Sequence, residues 1–326
     1  MIFSLHKQII IISFIYAFLV MFGVYGFGTD YYRAYIPTGT YFHNSFLVNI
    51  HNVMAIKKNV GWFITTIHYK EIPIGLGLVS LLLAYATGVL LLTESQLTKY
   101  KFPKFSYIIL LHCWPIIMFA TNVVRQGLLI ALIYLSIILY TYNFKKLSVI
   151  LILCTLFVHK IAFLFAPVLL FSIIIIEVDK MIAIKKVIFH SLNSLITILI
   201  LVLVYKFFYI NNPFGYRPID SRAIGGDFTK IFFLINIFYI SYFLIKDFTF
   251  EIISLFLFYA SMVFIPFFLV GYSWEYERLN MSIIILYIIC LSREVMLTNV
   301  RNFLIFTSAL SLFLISYYQG IFESLK

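Results

Sequence analysis

Long apolar runs fill the chain and are separated by short clusters of charged, proline and glycine residues. About 20 consecutive apolar residues cross a bilayer as one α-helix, so each run is interpreted as a membrane span. The pattern predicts an all-α, polytopic integral membrane protein, with residues 1–326 forming one membrane domain. We place roughly eleven spans, near residues 8–27, 72–92, 105–120, 124–142, 147–158, 161–176, 187–208, 231–245, 252–270, 279–291 and 303–319.

Two longer polar segments, 28–71 and 209–230, interrupt this pattern on what we predict to be the outer side of the membrane. The first contains a short apolar stretch, Val60–Tyr69, that cannot cross a bilayer and is expected to lie at the interface. Long loops in compact proteins are often functional. We therefore expect chemistry on this side.

Composition agrees with a membrane protein. Hydrophobic residues make up 63% of the chain, charged residues only 11%, and the mean hydropathy is +1.02, whereas soluble domains average about 25% charged residues. The three cysteines, Cys113, Cys154 and Cys290, all fall inside apolar runs and are expected to be small buried residues. Their spacing indicates neither a disulfide framework nor a metal site.

The net charge of +11 comes from cations scattered between the apolar runs, which excludes a nucleic-acid-binding stretch. Placing the N-terminus in the cytoplasm makes the inner connections short and dense in basic residues, as the positive-inside rule requires. The inner cations are then Lys7, Lys99, Lys101, Lys104, Lys145, Lys146, Lys180, Lys185, Lys186, Lys246, Arg293 and Arg301. These short connections carry no phosphate-binding loop, so a cytosolic nucleotide-binding domain is excluded.

Arginine is the less common cation, with 7 arginines against 17 lysines. Five of the seven fall on the predicted outer side, where topology gives no reason for a positive charge. A guanidinium binds phosphate or carboxylate through two parallel hydrogen bonds, so an anionic ligand at the outer leaflet is the hypothesis. Pairing with nearby acids or contact with lipid phosphates is the alternative. The five are Arg33, Arg125, Arg217, Arg222 and Arg278.

Arg125 is the strongest of these candidates. Thr121 or Asn122 is expected to cap a new helix, with Arg125 in its first turn. A cation beside a helix N-terminus is favourable when an anion is held there. Asn122 and Gln126, spaced i and i+4, are expected to share one helix face and to offer hydrogen bonds to a sugar or phosphate.

Two further positions place ionisable groups between or at the ends of spans. His159 and Lys160 interrupt two apolar runs, where an ionisable pair is costly unless it faces a cavity. His159 is a candidate general base, with a hydrated turn as the alternative. Glu277 and Arg278 are adjacent, so on a helix they point in different directions and need separate partners; two snorkelling interfacial residues are the alternative.

Together these pieces resemble the EpsG-like branch of the Wzy-type polysaccharide polymerases. The matching stretches are GTDYYRAY from Gly28, VGW from Val60, NVVRQGLLIAL from Asn122, HKIAFLFAP from His159 and YERLN from Tyr276. The resemblance implies a GT-C-like, multi-pass enzyme of the bacterial inner membrane. It would polymerise undecaprenyl-diphosphate-linked repeat units into O-antigen, capsule or exopolysaccharide at the outer face, without metal or other cofactor.

The expected partners are the lipid-linked saccharide, membrane lipid, a chain-length regulator and a flippase. Arg125, His159, Glu277 and Arg278 are the catalytic candidates, with Arg125 and Arg278 neutralising the leaving diphosphate and His159 or Glu277 as the base. The substrate-binding candidates are Asp30, Arg33, Asn122, Gln126, Arg217 and Arg222.

Three other functions stay open from the sequence. A flippase for lipid-linked saccharides would also use arginines, but would distribute charge through the span interiors. A membrane-bound O-acyltransferase would centre on an intramembrane histidine such as His159 and would need an acyl donor from the cytosol. A non-enzymatic assembly partner is the third.

Overall fold

The computed structural model describes residues 2–26, 64, 67, 72–99, 101–182, 226–245, 251–269, 273–293 and 298–318. These residues contain eleven α-helices and no β-strand. The helices are α1 (Ile2–Met21), α2 (Ile74–Leu97), α3 (Lys104–Leu111), α4 (Trp114–Thr121), α5 (Val124–Thr141), α6 (Lys145–Thr155), α7 (Ala162–Ile182), α8 (Gly226–Ile245), α9 (Ile252–Leu269), α10 (Ser273–Arg293) and α11 (Thr298–Tyr318).

Four of these helices are long and apolar enough to cross a membrane: α1, α2, α5 and α9. A fifth span is formed if α3 and α4 are counted together, although they meet at an angle of 51°. The all-helical prediction is therefore confirmed, and the apolar helices are those of a membrane protein. A helix is present at each predicted span except 187–208, which lies outside the described residues; that there are about eleven membrane-crossing spans stays a prediction.

The predicted span at 105–120 is two helices instead of one. α3 ends at Leu111, and the chain turns at His112 and Cys113 before α4 begins. Pro115 lies in the first turn of α4, where its missing N–H and fixed φ suit a helix start but oppose continuation from α3. The ring of His112 makes a hydrogen bond through Nδ1 with the carbonyl oxygen of Ile108 at 2.8 Å.

The chain forms two compact units, residues 1–162 with 288–326 and residues 163–287. In the first unit α1 and α2 run antiparallel, because a Cβ on Gly77 would meet Met21 and a Cβ on Gly88 would meet Ile9. The ends of α2 and α5 lie together, since the hydroxyl of Tyr142 donates to Gln96 Oε1 at 2.5 Å. The prediction of one membrane domain stays a prediction.

α5 and α6 form a helical hairpin. Asn143 adopts a left-handed φ of 66°, and the amides of Asn143 and Phe144 bond back to Tyr140 and Leu139, at 3.0 and 2.9 Å. This is the Schellman ending, in which asparagine tolerates the left-handed position. One end of the first unit consequently gathers five of the predicted inner lysines, Lys99, Lys101, Lys104, Lys145 and Lys146.

Cys154 differs from the prediction for the cysteines. Cys113 and Cys290 are buried, but Cys154 is exposed. It lies on an apolar stripe of α6 at helical spacing, with Leu147, Ile150 and Leu153 also exposed. A stripe of this kind faces lipid, and a small thiol is tolerated there as well as in a core.

In the second unit α8 packs antiparallel on α9. The ring of Phe233 stacks on Phe268 and that of Phe243 on Phe258, with centroids 4.3 and 4.2 Å apart. α10 follows α9 after a short link and returns along it, so that Tyr287 contacts Ser261. These three helices enclose the polar side chains described below.

Candidate functional site

The predicted site residues fall in three groups. Arg125, His159 and Gln126 lie in the first unit, and Glu277 and Arg278 lie in the second. Each unit is therefore described by itself. The substrate-binding candidates Asp30, Arg33, Arg217 and Arg222 lie outside the described residues.

Arg125 occupies the first turn of α5, as predicted, but the predicted cap is wrong. Thr121 ends α4, where its hydroxyl donates to the carbonyl of Ile117 at 2.8 Å, and Asn122 is the C-cap of that helix. α5 begins after Val123, which provides no side-chain cap. The first turn of α5 therefore carries a guanidinium and receives no side-chain hydrogen bond from its N-cap residue.

Asn122 and Gln126 do not share a helix face, which corrects the second part of that prediction. Asn122 precedes α5 and has φ −114° and ψ −65°, outside the new helix. Gln126 lies in the first turn of α5 and is fully buried, while Asn122 is half-buried. The i, i+4 argument fails because a helix boundary separates the two residues.

Gly127 allows the start of α5 to pack closely against α4. A Cβ at this position would come within 2.3 Å of the backbone carbonyl oxygen of Phe119 in α4. Any side chain here would push the first turn of α5 away from α4, because a backbone atom cannot move aside as a side chain can. Gly127 thus allows the first turn of α5, which carries Arg125, to lie directly against α4.

His159 lies at the same end of the first unit as Arg125. Ser148 of α6 donates to the carbonyl of Ser136 in α5 at 2.8 Å, which sets the antiparallel register of the hairpin. Continued along both helices, this register brings Thr155 level with Leu129, near the first turn of α5. The turn that follows α6 carries His159, only 5% exposed.

The hydrogen bonding of His159 restricts its chemistry. Its Nδ1 accepts the backbone N–H of Ile161 at 3.2 Å, and its own carbonyl accepts the N–H of Ala162 at 2.9 Å. With Nδ1 used as an acceptor, the neutral ring carries its proton on Nε2. His159 is thus arranged to donate a hydrogen bond from Nε2 and is poorly arranged to take up a proton.

Glu277 is fully buried within α10, and the hydroxyl of Thr229 in α8 donates to its Oε1. Its neighbour Arg278 is half-buried, so the two side chains have different surroundings, as predicted. Glu275, in the first turn of α10, is also buried. Acidic groups in this turn are stabilised by the helix dipole.

A buried polar network, not predicted from the sequence, lies next to Glu277. Asn236 Nδ2 donates to Tyr276 Oη at 2.6 Å and to Asn280 Oδ1 at 2.8 Å, while Tyr287 donates to Asn236 Oδ1 at 2.6 Å. Ser261 extends the network into α9 through Tyr287, with 2.5 Å between the two oxygens. These side chains tie α8, α9 and α10 together around the helix turn that carries Glu277.

No protein-family model, curated protein or solved structure matches the chain. In the described residues there is also no group of three or more histidine, cysteine, aspartate or glutamate side chains that could hold a metal ion. The site is therefore interpreted from its own residues.

Proposed function

We propose that the chain is a membrane glycosyltransferase that polymerises repeat units carried on undecaprenyl diphosphate at the outer face of a bacterial inner membrane. The observation that carries the proposal is the start of α5. There an arginine shares the first turn of a helix that has no side-chain cap, and both features favour a bound anion. A lipid-linked diphosphate is an anion that reaches such a position from the membrane.

The sidedness of the first unit supports the same function. Arg125 and His159 lie at the end opposite the gathered lysines. With lysines on the cytoplasmic side, as the positive-inside rule favours, Arg125 faces the outer leaflet. The diphosphate of an outward-facing lipid-linked saccharide lies at that level.

In the proposed reaction, one of two candidate bases, Glu277 or His159, removes the proton of an acceptor sugar hydroxyl. The oxygen of that hydroxyl attacks the anomeric carbon of the donor while the bond from this carbon to the diphosphate oxygen breaks. Arg125 stabilises the negative charge that develops on the diphosphate, and the Nε2–H of His159, in the same unit, donates a hydrogen bond to the substrate. Glu277 is preferred over His159 because the His159 Nδ1 lone pair already accepts the N–H of Ile161.

The experiment is turnover of a lipid-diphosphate-linked repeat unit by purified protein. We expect products that differ by one repeat unit, and loss of at least about 99% of the rate in Arg125→Lys, because the ammonium cannot make the two parallel hydrogen bonds of a guanidinium. Wild-type chain lengths from folded Arg125→Ala would contradict the role of this residue.

Glu277→Gln and His159→Gln separate the two candidate bases. We expect Glu277→Gln to abolish turnover across the pH range and His159→Gln to keep the pH dependence of the wild type at a lower rate. Loss of a limb of the pH profile in His159→Gln alone would transfer the role of base to His159.

A flippase is the second candidate, because Glu94 is buried within the membrane-length helix α2 and ionisable groups inside spans often mark transport paths. It predicts movement of the lipid-linked substrate across a bilayer without a change in its length.

A further inference from the structure

A large cavity opens at the lysine-rich end of the first unit. Its volume is about 940 Å³, and it lies between the end of α2, the link to α3 and the start of α11. Three lysines, Lys99, Lys101 and Lys104, line it together with Gln96 and Asn302. We propose that this cavity binds the phosphate headgroup of an anionic phospholipid from the membrane.

The charge around the cavity is strongly unbalanced. Lys99, Lys101 and Lys104 are all exposed. Residues 92–106, which supply most of the lining, contain three lysines but one acidic residue, Glu94, which is 2% exposed. An anion in the cavity supplies the negative charge that this part of the chain lacks.

The backbone at Lys99 supports a role for its side chain. Lys99 follows the end of α2 with a left-handed φ of 57°. Glycine adopts this conformation without steric cost, whereas a residue with a Cβ is strained there. Glycine would be less strained at this position, and lysine instead places a charged side chain in the lining of the cavity.

The start of α3 adds a second preference for an anion in the same cavity. α3 has Pro103 at its N-cap without a side-chain hydrogen bond, no acidic residue in its first turn, and Lys104 as its first residue. Lys104, Phe105 and Ser106 all line the cavity. The first turn of α3 and the Lys104 side chain thus line one volume, and an anion stabilises both.

The apolar side chains of the cavity decide which anion is bound. Leu5, Leu92, Phe102, Phe105 and Phe306 line the same cavity as the lysines, and Phe105 is 78% exposed. Free phosphate would leave these rings and aliphatic chains in contact with water. A phospholipid matches the whole surface, because its phosphate binds the lysines and its acyl chains cover the apolar side chains.

The test is lipid binding to the full-length protein in neutral detergent, counted by native mass spectrometry. Dioleoyl phosphatidylglycerol is the probe, and dioleoyl phosphatidylcholine has the same chains without net charge. The cavity variant is Lys99→Gln/Lys101→Gln/Lys104→Gln. The matched control is Lys7→Gln/Lys145→Gln/Lys146→Gln, which removes three charges without touching the cavity lining. Lys99→Gly removes one charge and also relieves the backbone strain.

We expect wild-type protein to prefer phosphatidylglycerol at least about tenfold, the cavity variant to lose that preference, and the control to stay within about twofold of wild type. Lys99→Gly should bind the anionic lipid about fivefold more weakly while its thermal midpoint is unchanged or higher. Equal losses in the cavity and control variants would overturn the proposal, because diffuse surface charge would then explain binding. Full displacement of the lipid by millimolar inorganic phosphate, or no preference in the wild type, would overturn it as well.

Discussion

Two tyrosines of the second unit differ in whether the hydroxyl has a partner, and their phenylalanine variants should differ in the sign of their effect. Tyr287 donates to Asn236 and shares a hydrogen bond with Ser261. Tyr259 is 1% exposed, and its hydroxyl has no hydrogen-bond partner in the structure. Each substitution removes one oxygen and leaves the ring in place, so the two variants are matched in size.

The magnitudes follow from the number of hydrogen bonds lost. Interhelical hydrogen bonds in membrane proteins contribute about 0.6 kcal/mol on average and about 1.7 kcal/mol at most. Tyr287→Phe loses two of them and leaves Asn236 Oδ1 buried without this donor, so we expect a loss of about 1–3 kcal/mol in the free energy of unfolding. Tyr259→Phe removes an unpartnered buried hydroxyl, so we expect it to be neutral or to stabilise by up to about 1 kcal/mol.

The assay is reversible unfolding of the purified protein by increasing SDS in mixed micelles, followed by far-UV circular dichroism. Tyr287→Phe should unfold at a lower SDS fraction than wild type, and Tyr259→Phe at the same or a higher fraction. Equal destabilisation by both substitutions would refute the reasoning, because the network would then contribute nothing beyond the packing of the rings.

Three further predictions concern the site and its support. Gly127→Ala should destabilise the first unit by about 1–3 kcal/mol in the same unfolding assay and reduce turnover, because the alanine Cβ meets the Phe119 carbonyl. An unchanged turnover rate would show that the helix turn carrying Arg125 need not pack so closely against α4. Thr229→Val should lower turnover about tenfold with the product spacing retained, since Glu277 loses a hydrogen-bond donor. The Thr307 hydroxyl bonds within α11, so Thr307→Val should turn over substrate like wild type. Equal losses of turnover in the two variants would contradict the role of Thr229. Cys154 should react with a membrane-permeant maleimide faster than Cys113, because Cys154 is exposed and Cys113 is 1% exposed. The reverse order of rates would contradict the assignment of this side of α6 to lipid.

The helices were predictable from the sequence because apolar runs of membrane length have few alternatives to a helix. The break at His112 was not predicted, since the run from 105 to 120 is mostly apolar and only Pro115 indicated a new start. The N-cap of α5 was also predicted wrongly. Threonine and asparagine suit a helix N-cap, but in this chain they complete the preceding helix instead.

The polar network around Asn236 shows what the sequence could not supply. Its members come from three helices and are separated by up to 51 residues, so no local spacing brings them together. One indication was present: asparagine is rare inside a span and costly unless it is hydrogen-bonded. Asn236, in the middle of the apolar run 231–245, could have been found by that criterion.

The stoichiometry of the reaction in detergent, where no bilayer separates two sides, distinguishes a polymerase from a flippase. Purified wild-type protein is mixed with an undecaprenyl-diphosphate-linked repeat unit, and both product length and released undecaprenyl diphosphate are measured by mass spectrometry. The account predicts one undecaprenyl diphosphate released for each repeat unit added to the growing chain. Substrate that remains unchanged in detergent, but crosses the bilayer when the same protein is reconstituted in vesicles, would contradict it and identify a flippase.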